Sequence, residues 1–213
     1  MHRIAPVLCG LALGLAAVGS AAAQAPLCKL EKAFPNRITG ILHMVPYQGG
    51  SLTTLSLTFA SASVETKGLE LRPAPQPVAT VGVPIRDDGK RLGGGSIKTG
   101  SRPYVPGAPQ ALSGFNQTLT AGAVTKKRSL VFMYNDYMDF DPGLAQDDML
   151  AFLEAADKAA VFSSLTVDTG DAKRSVKITV EARGAMAARR AMIAEVPKLE
   201  AKAASGGCRV AYN

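Results

Sequence analysis

The sequence has no tryptophan, only 6% aromatic residues, three cysteines and two histidines in 213 residues. The scarcity of rings argues against a sugar-stacking platform and against a single-strand nucleic-acid groove, both of which rest on several aromatic faces. No nucleic-acid partner is expected. The scarcity of histidine and cysteine argues against a metal centre. Past residue 25 only His43, Cys28 and Cys208 remain, with no close-spaced ligand pair. Neither a metal nor another cofactor is expected.

Long apolar runs are also lacking, with one exception at the N-terminus. His2 and Arg3 precede IAPVLCGLALGLAAVG, which is followed by SAAAQAP. This is the plan of a secretory signal peptide, with AQA as the cleavage signal. The sequence therefore predicts a cleaved leader over 1–25, cut near Ala25, and a mature chain of about 188 residues. The run is shorter than the roughly 20 residues of a bilayer crossing. Cys9 lies inside it without the small preceding residue a lipid anchor would use. No membrane span is expected in the mature chain. The Ala-rich leader reads as bacterial, which makes the product periplasmic or secreted.

Cleavage would remove Cys9 and leave two thiols near opposite ends of the chain. In an oxidising compartment they have one intramolecular pairing, Cys28 with Cys208. Charge is uneven. Residues 26–130 hold 13 Lys and Arg against 5 Asp and Glu, whereas residues 131–213 hold 10 against 12. A basic first half in an exported protein suits an anionic envelope polymer or another envelope protein as partner.

Periodicity sets the expected elements. RITGILHMV is a strand followed by the turn PYQGG, and Leu55, Leu57 and Phe59 then alternate with Ser56 and Thr58. KGLELRP adds a short strand. Residues 73–110 hold seven of the thirteen prolines and three consecutive glycines. They read as a Pro/Gly-rich surface excursion, with PVATVGVPI and the residues around Ile97 as edge strands. Further strands are expected at ALSGFNQTLTAGAV and RSLVFMY. A helix follows over 148–160, capped by Asp147 or Asp148, with Met149, Phe152, Leu153, Ala156 and Ala160 on one stripe. SSLTVD and SVKITVEA form a hairpin. A second helix spans 185–203, interrupted at Pro197 and stopped by Gly206 and Gly207. The predicted fold is α+β, one globular domain over 26–213. It comprises a mostly antiparallel sheet with two helices packed on one face and the termini joined by a disulfide.

No catalytic constellation assembles from these residues. Lys98, Thr99 and Gly100 resemble the KTG element of serine penicillin-binding enzymes, yet no serine has a lysine three residues on. His43 lies in a strand pattern without a nucleophile elbow. Asp136, Asp139 and Asp141 form an acidic loop in YNDYMDFDPG but lack the calcium-loop order. Lys126, Lys127 and Arg128 form a basic triplet suited to an anionic ligand, or to guarding an apolar strand against aggregation. The sequence thus favours a non-catalytic exported binding or envelope-associated protein. The alternatives are a small envelope hydrolase working through its carboxylates and a binder of anionic glycan or lipid.

Overall fold

The computed structural model describes residues 25–60, 62–72, 78–83, 85, 95–98, 102–112, 114–131, 137–140 and 146–212; the side chains of 95–98, 128–131, 137–140 and 146–148 are not among them. The strands in chain order are β1 (Lys29–Phe34), β2 (Ile38–Tyr47), β3 (Gly50–Phe59), β4 (Ala62–Lys67), β5 (Glu70–Arg72), β6 (Val78–Val83), β7 (Gly95–Lys98), β8 (Arg102–Tyr104), β9 (Gly114–Ala121), β10 (Val124–Val131) and β11 (Tyr137–Phe140). Helix α1 (Gln146–Ala159), the hairpin strands β12 (Val161–Asp168) and β13 (Ser175–Glu181), and helices α2 (Ala185–Ile193) and α3 (Val196–Ala204) complete the chain.

The alternation in β2 and β3 does the work expected of it. Their register pairs Ile38 with Phe59 and Leu42 with Leu55, so buried residues meet on one face. The turn between them places Gln48 and Gly49 at φ 45° and 77°, the two positive dihedrals of a type I′ hairpin, whose twist matches that of its strands. The first sheet has the order β1-β2-β3-β6-β7-β11, and the second β10-β9-β12-β13-β4. A ribbon of β5 and β8 stands apart, and every strand pair is antiparallel.

The fold is therefore the antiparallel α+β arrangement predicted, with its strands divided between two sheets and a ribbon. β6 and β7, expected at sheet edges because of nearby prolines, lie inside the first sheet. Pro77 and Pro84 fall just outside the bounds of β6, so its own backbone keeps every donor. Residues 102–104 of the predicted excursion pair with β5, whereas 86–94 lie outside the described residues.

The two sheets meet through aromatic rings. Phe59 of the first sheet stands edge-on to Phe162 of the second at 5.7 Å, and Phe152 of α1 meets Phe162 at 5.6 Å. Helix α1 packs against β9 and β12, and α2 against β2 and β3. The approach of α2 depends on Gly40. A Cβ there would collide with the Cγ of Met192 and sit 2.8 Å from its Sδ. Pro197 divides the last helix as expected, giving α2 and α3. Gly206 ends α3 at φ 72°, and Gly207 N–H donates to the Lys202 carbonyl at 2.9 Å, closing the helix in a left-handed cap.

Cys28 and Cys208 are bonded, with their Cα atoms 4.9 Å apart. The bond fastens the tail beside the first strand. Cys28 N–H donates to the Arg209 carbonyl, Arg209 N–H donates to the Pro26 carbonyl, and the Tyr212 hydroxyl donates to the Pro46 carbonyl.

Candidate functional site

The residues singled out by sequence are dispersed. Lys126, Lys127 and Arg128 sit within β10, an edge strand of the second sheet, opposite Leu119, Thr118 and Gln117. The period of two sends Lys126 and Lys127 to opposite faces. Lys126 is half-buried and Lys127 exposed, while the side chain of Arg128 lies outside the described residues. Asp139 pairs with Ser96 in the β11–β7 ladder; its side chain, and Asp136 and Asp141 altogether, lie outside the described residues. Among the described residues no group of three His, Cys, Asp or Glu converges to hold a metal ion. His43 is buried between its register partners Lys29 and Thr54, and its Nε2 has no hydrogen-bond partner. The Thr54 hydroxyl donates to the His43 backbone carbonyl at 3.0 Å, an arrangement unlike the hydroxyl-to-imidazole hydrogen bond of a triad.

A different place draws together several unusual features. A groove of about 460 Å³ opens where the turn between β1 and β2 meets the second sheet. Its floor is small and apolar, formed by Ala60, Ala62, Ala160 and Val161. Ser63 and Thr179, paired across β4 and β13, supply hydroxyls. The two charged groups are Arg37, from the β1–β2 turn, and Glu181, at the end of β13. The groove is shallow and open, Ala60 and Val161 being exposed, and polar and apolar groups share its lining about equally.

The chain is held in an uncommon conformation to build this rim. Of four non-glycine residues with positive φ among the described residues, three lie here: Asn36 at 60°, Arg37 at 55° and Ala160 at 60°. An L-residue in the left-handed region costs roughly 1–2 kcal/mol, and such strain collects where a site needs a fixed geometry. Local hydrogen bonds hold it. Asn36 donates from its side-chain amide to the Arg183 carbonyl at 2.8 Å, and Ala60 N–H donates to the Arg37 carbonyl at 3.1 Å. Ala160 is the left-handed residue that ends α1, and its carbonyl accepts from Ala182 N–H at 3.0 Å. Both sides of the groove are thereby tied to β13 and the segment after it.

Arg37 and Glu181 are exposed and line one groove, yet no ion pair joins them. Opposite charges that share a cavity without touching leave room for a ligand between them. Ser63 and Thr179 also begin a longer feature. In register across the outer face of the second sheet stand Ser63, Thr179, Ser163, Thr120 and Thr125, one hydroxyl on each strand. The neighbouring row carries Glu65, Lys177, Leu165, Thr118 and Lys127, with Glu65 directly opposite Lys177.

Sequence reasoning missed Arg37 and Glu181. Arg37 reads as the start of a strand and Glu181 as the polar phase of another. The one local signal was Asn36, a residue that tolerates the left-handed region, placed between a proline and an arginine. Compared with protein-family models, with curated proteins and with solved structures, the chain matches none.

Proposed function

We propose that this chain is an exported, non-catalytic binding protein of the bacterial envelope, and that the groove beside Arg37 is where its ligand sits. The observation that supports this reading is the pair of unpaired opposite charges held over an apolar floor by a strained backbone. Binding needs a preformed, rigid set of contacts, and the disulfide-tied sheets supply the frame. Catalysis would need a nucleophile or a base in hydrogen-bond reach of a reacting atom. The groove holds one carboxylate and two hydroxyls, and no described hydrogen bond joins the Glu181 carboxylate to either hydroxyl. The hydrolase alternative rests on Asp136, Asp139 and Asp141, and gains no support from the described geometry.

A thermal-shift screen of the disulfide-bonded protein tests the proposal, using cell-wall fragments, lipopolysaccharide, calcium and small metabolites. A ligand at 100 times its dissociation constant adds about 2.7 kcal/mol of stability, which raises the midpoint by several degrees. The absence of any saturable shift across the screen would remove the proposal.

A second reading, binding of an anionic glycan, is favoured by one observation. The ordered row of hydroxyls beside Lys127 and Lys177 offers hydrogen bonds and positive charge along a flat sheet face. Such binding weakens steeply as salt rises past about 0.15 M; an interaction indifferent to salt would exclude it.

A further inference from the structure

We propose that the groove recognises a zwitterion derived from amino acids, a short peptide with small aliphatic side chains whose carboxylate meets Arg37 and whose ammonium meets Glu181. This inference rests on the binding-protein reading and narrows it to a ligand class. The charges carry the first step. A guanidinium offers a planar fork that matches a carboxylate in two parallel hydrogen bonds, and a carboxylate accepts from an ammonium. Arg37 and Glu181 line the same groove and do not pair with each other. A ligand carrying both charges satisfies both groups, whereas a simple anion leaves Glu181 repelling it.

The floor carries the second step. Ala60, Ala62, Ala160 and Val161 present methyl groups and no aromatic ring, so the ligand body that fits is short and aliphatic. The volume of about 460 Å³ exceeds what one alanine fills and accommodates two or three such residues. Ser63 and Thr179 stand beside this floor, where their hydroxyls can serve the amide group between two residues. β4 adds a third element. It is the last strand of the second sheet, and none of its residues makes a described hydrogen bond on the side away from β13. Extended chains bind to such free strand edges through their own backbone groups, and Ala62 and Ser63 belong to both the edge and the groove.

The test is an NMR titration of the disulfide-bonded protein with dialanine of either configuration, with N-acetyl-dialanine and with dialanine amide. Dialanine is expected to shift the amide signals of Ala62, Val161 and Thr179 saturably. Blocking either terminus should weaken binding at least tenfold. Arg37→Gly should weaken it by a similar factor while leaving the melting temperature unchanged or higher, because glycine accepts the left-handed backbone that arginine occupies under strain. Loss of binding in that variant is therefore not a folding defect. Glu181→Gln should weaken dialanine but leave N-acetyl-dialanine as it was. Equal affinity for the blocked and free peptides, undiminished binding by Arg37→Gly, or no saturable shift at millimolar peptide would each overturn the inference. A ligand found in the thermal screen that binds Arg37→Gly as well as the parent would overturn the groove assignment and leave the binding-protein reading intact. An empty screen would remove both.

Discussion

Replacing Cys28 and Cys208 together by alanine removes a bond that closes a loop of 180 residues. In the chain-entropy description, a loop of that length restricts the unfolded state by about 5 kcal/mol. Two corrections act in opposite directions. Cys28 is fully buried, so truncation at that position adds roughly 1 kcal/mol of lost packing. The unfolded chain retains some compactness even without the bond, which subtracts a similar amount. The folded state itself should survive, since the backbone bonds between the tail and residues 26–28 do not depend on sulfur. A loss of about 4–6 kcal/mol is expected, a large part of the 5–15 kcal/mol typical of whole domains. With a urea dependence near 2 kcal/mol/M, the midpoint should fall by about 2–3 M. Urea titrations followed by circular dichroism, on the oxidised parent and the variant, measure it directly. The slope should also rise, because the unlinked denatured chain exposes more surface. A midpoint shift below about 0.5 M with an unchanged slope would refute the loop-closure reasoning.

Phe162→Ala should cost about 3–5 kcal/mol, because this ring is the joint between Phe59 of the first sheet and Phe152 of α1; a loss under 1 kcal/mol in the same titration would mean that the sheets are held elsewhere. Gln48→Asn creates Asn-Gly in a turn whose two residues both have positive φ, and should raise stability by a few tenths of a kcal/mol to about 1 kcal/mol, read as a higher melting temperature. The hydrogen bond from Lys198 Nζ holds the Glu195 carboxyl below its ordinary range; burial pushes the other way, and the charges of Lys198 and Lys32 add to the lowering. A depressed folded-state value adds stability above the unfolded value of about 4.3, and that stability is lost as pH falls through the folded value. Glu195→Gln should therefore melt below the parent at pH 7 and approach it as the pH falls through the lowered folded value, and a gap that stays constant with pH would contradict the pairing.

Strong periodicity made several elements legible in the sequence. The alternation through Leu55, Leu57 and Phe59, the stripe through Met149, Phe152 and Ala156, and the break at Pro197 all reappear as β3, α1 and the α2–α3 division. The pairing of Cys28 with Cys208 followed from there being only two thiols to pair once the leader expected over 1–25 is set aside. β1 was not legible. KLEKAF mixes charge with apolar residues because an edge strand buries little, and Leu30 and Phe34 are only partly covered. β4 was hidden for the same reason, its ASVETK being small and polar. The division into two sheets was not encoded locally at all, since it arises when β13 turns back to β4 across more than a hundred residues. The groove combines both difficulties. Asn36 and Arg183, whose hydrogen bond fixes its rim, are 147 residues apart, and neither Arg37 nor Glu181 departs from ordinary surface patterning.

The placement of β4 sets the order in which the chain can fold. β2 and β3 form a local hairpin, and β12 with β13 forms another, so both can close on the timescale of microseconds. β4 has no partner until β13 has been made, and Leu27, just before β1, is not bridged until Arg209 reaches it. Long-range closure of this kind is slow, because distant segments must meet before their contacts reward the lost freedom. Synthesis of the last fifth of the chain is thus a precondition for placing β4, which lies in the first third. A nascent chain that stops short of β13 leaves β4 without its partner strand.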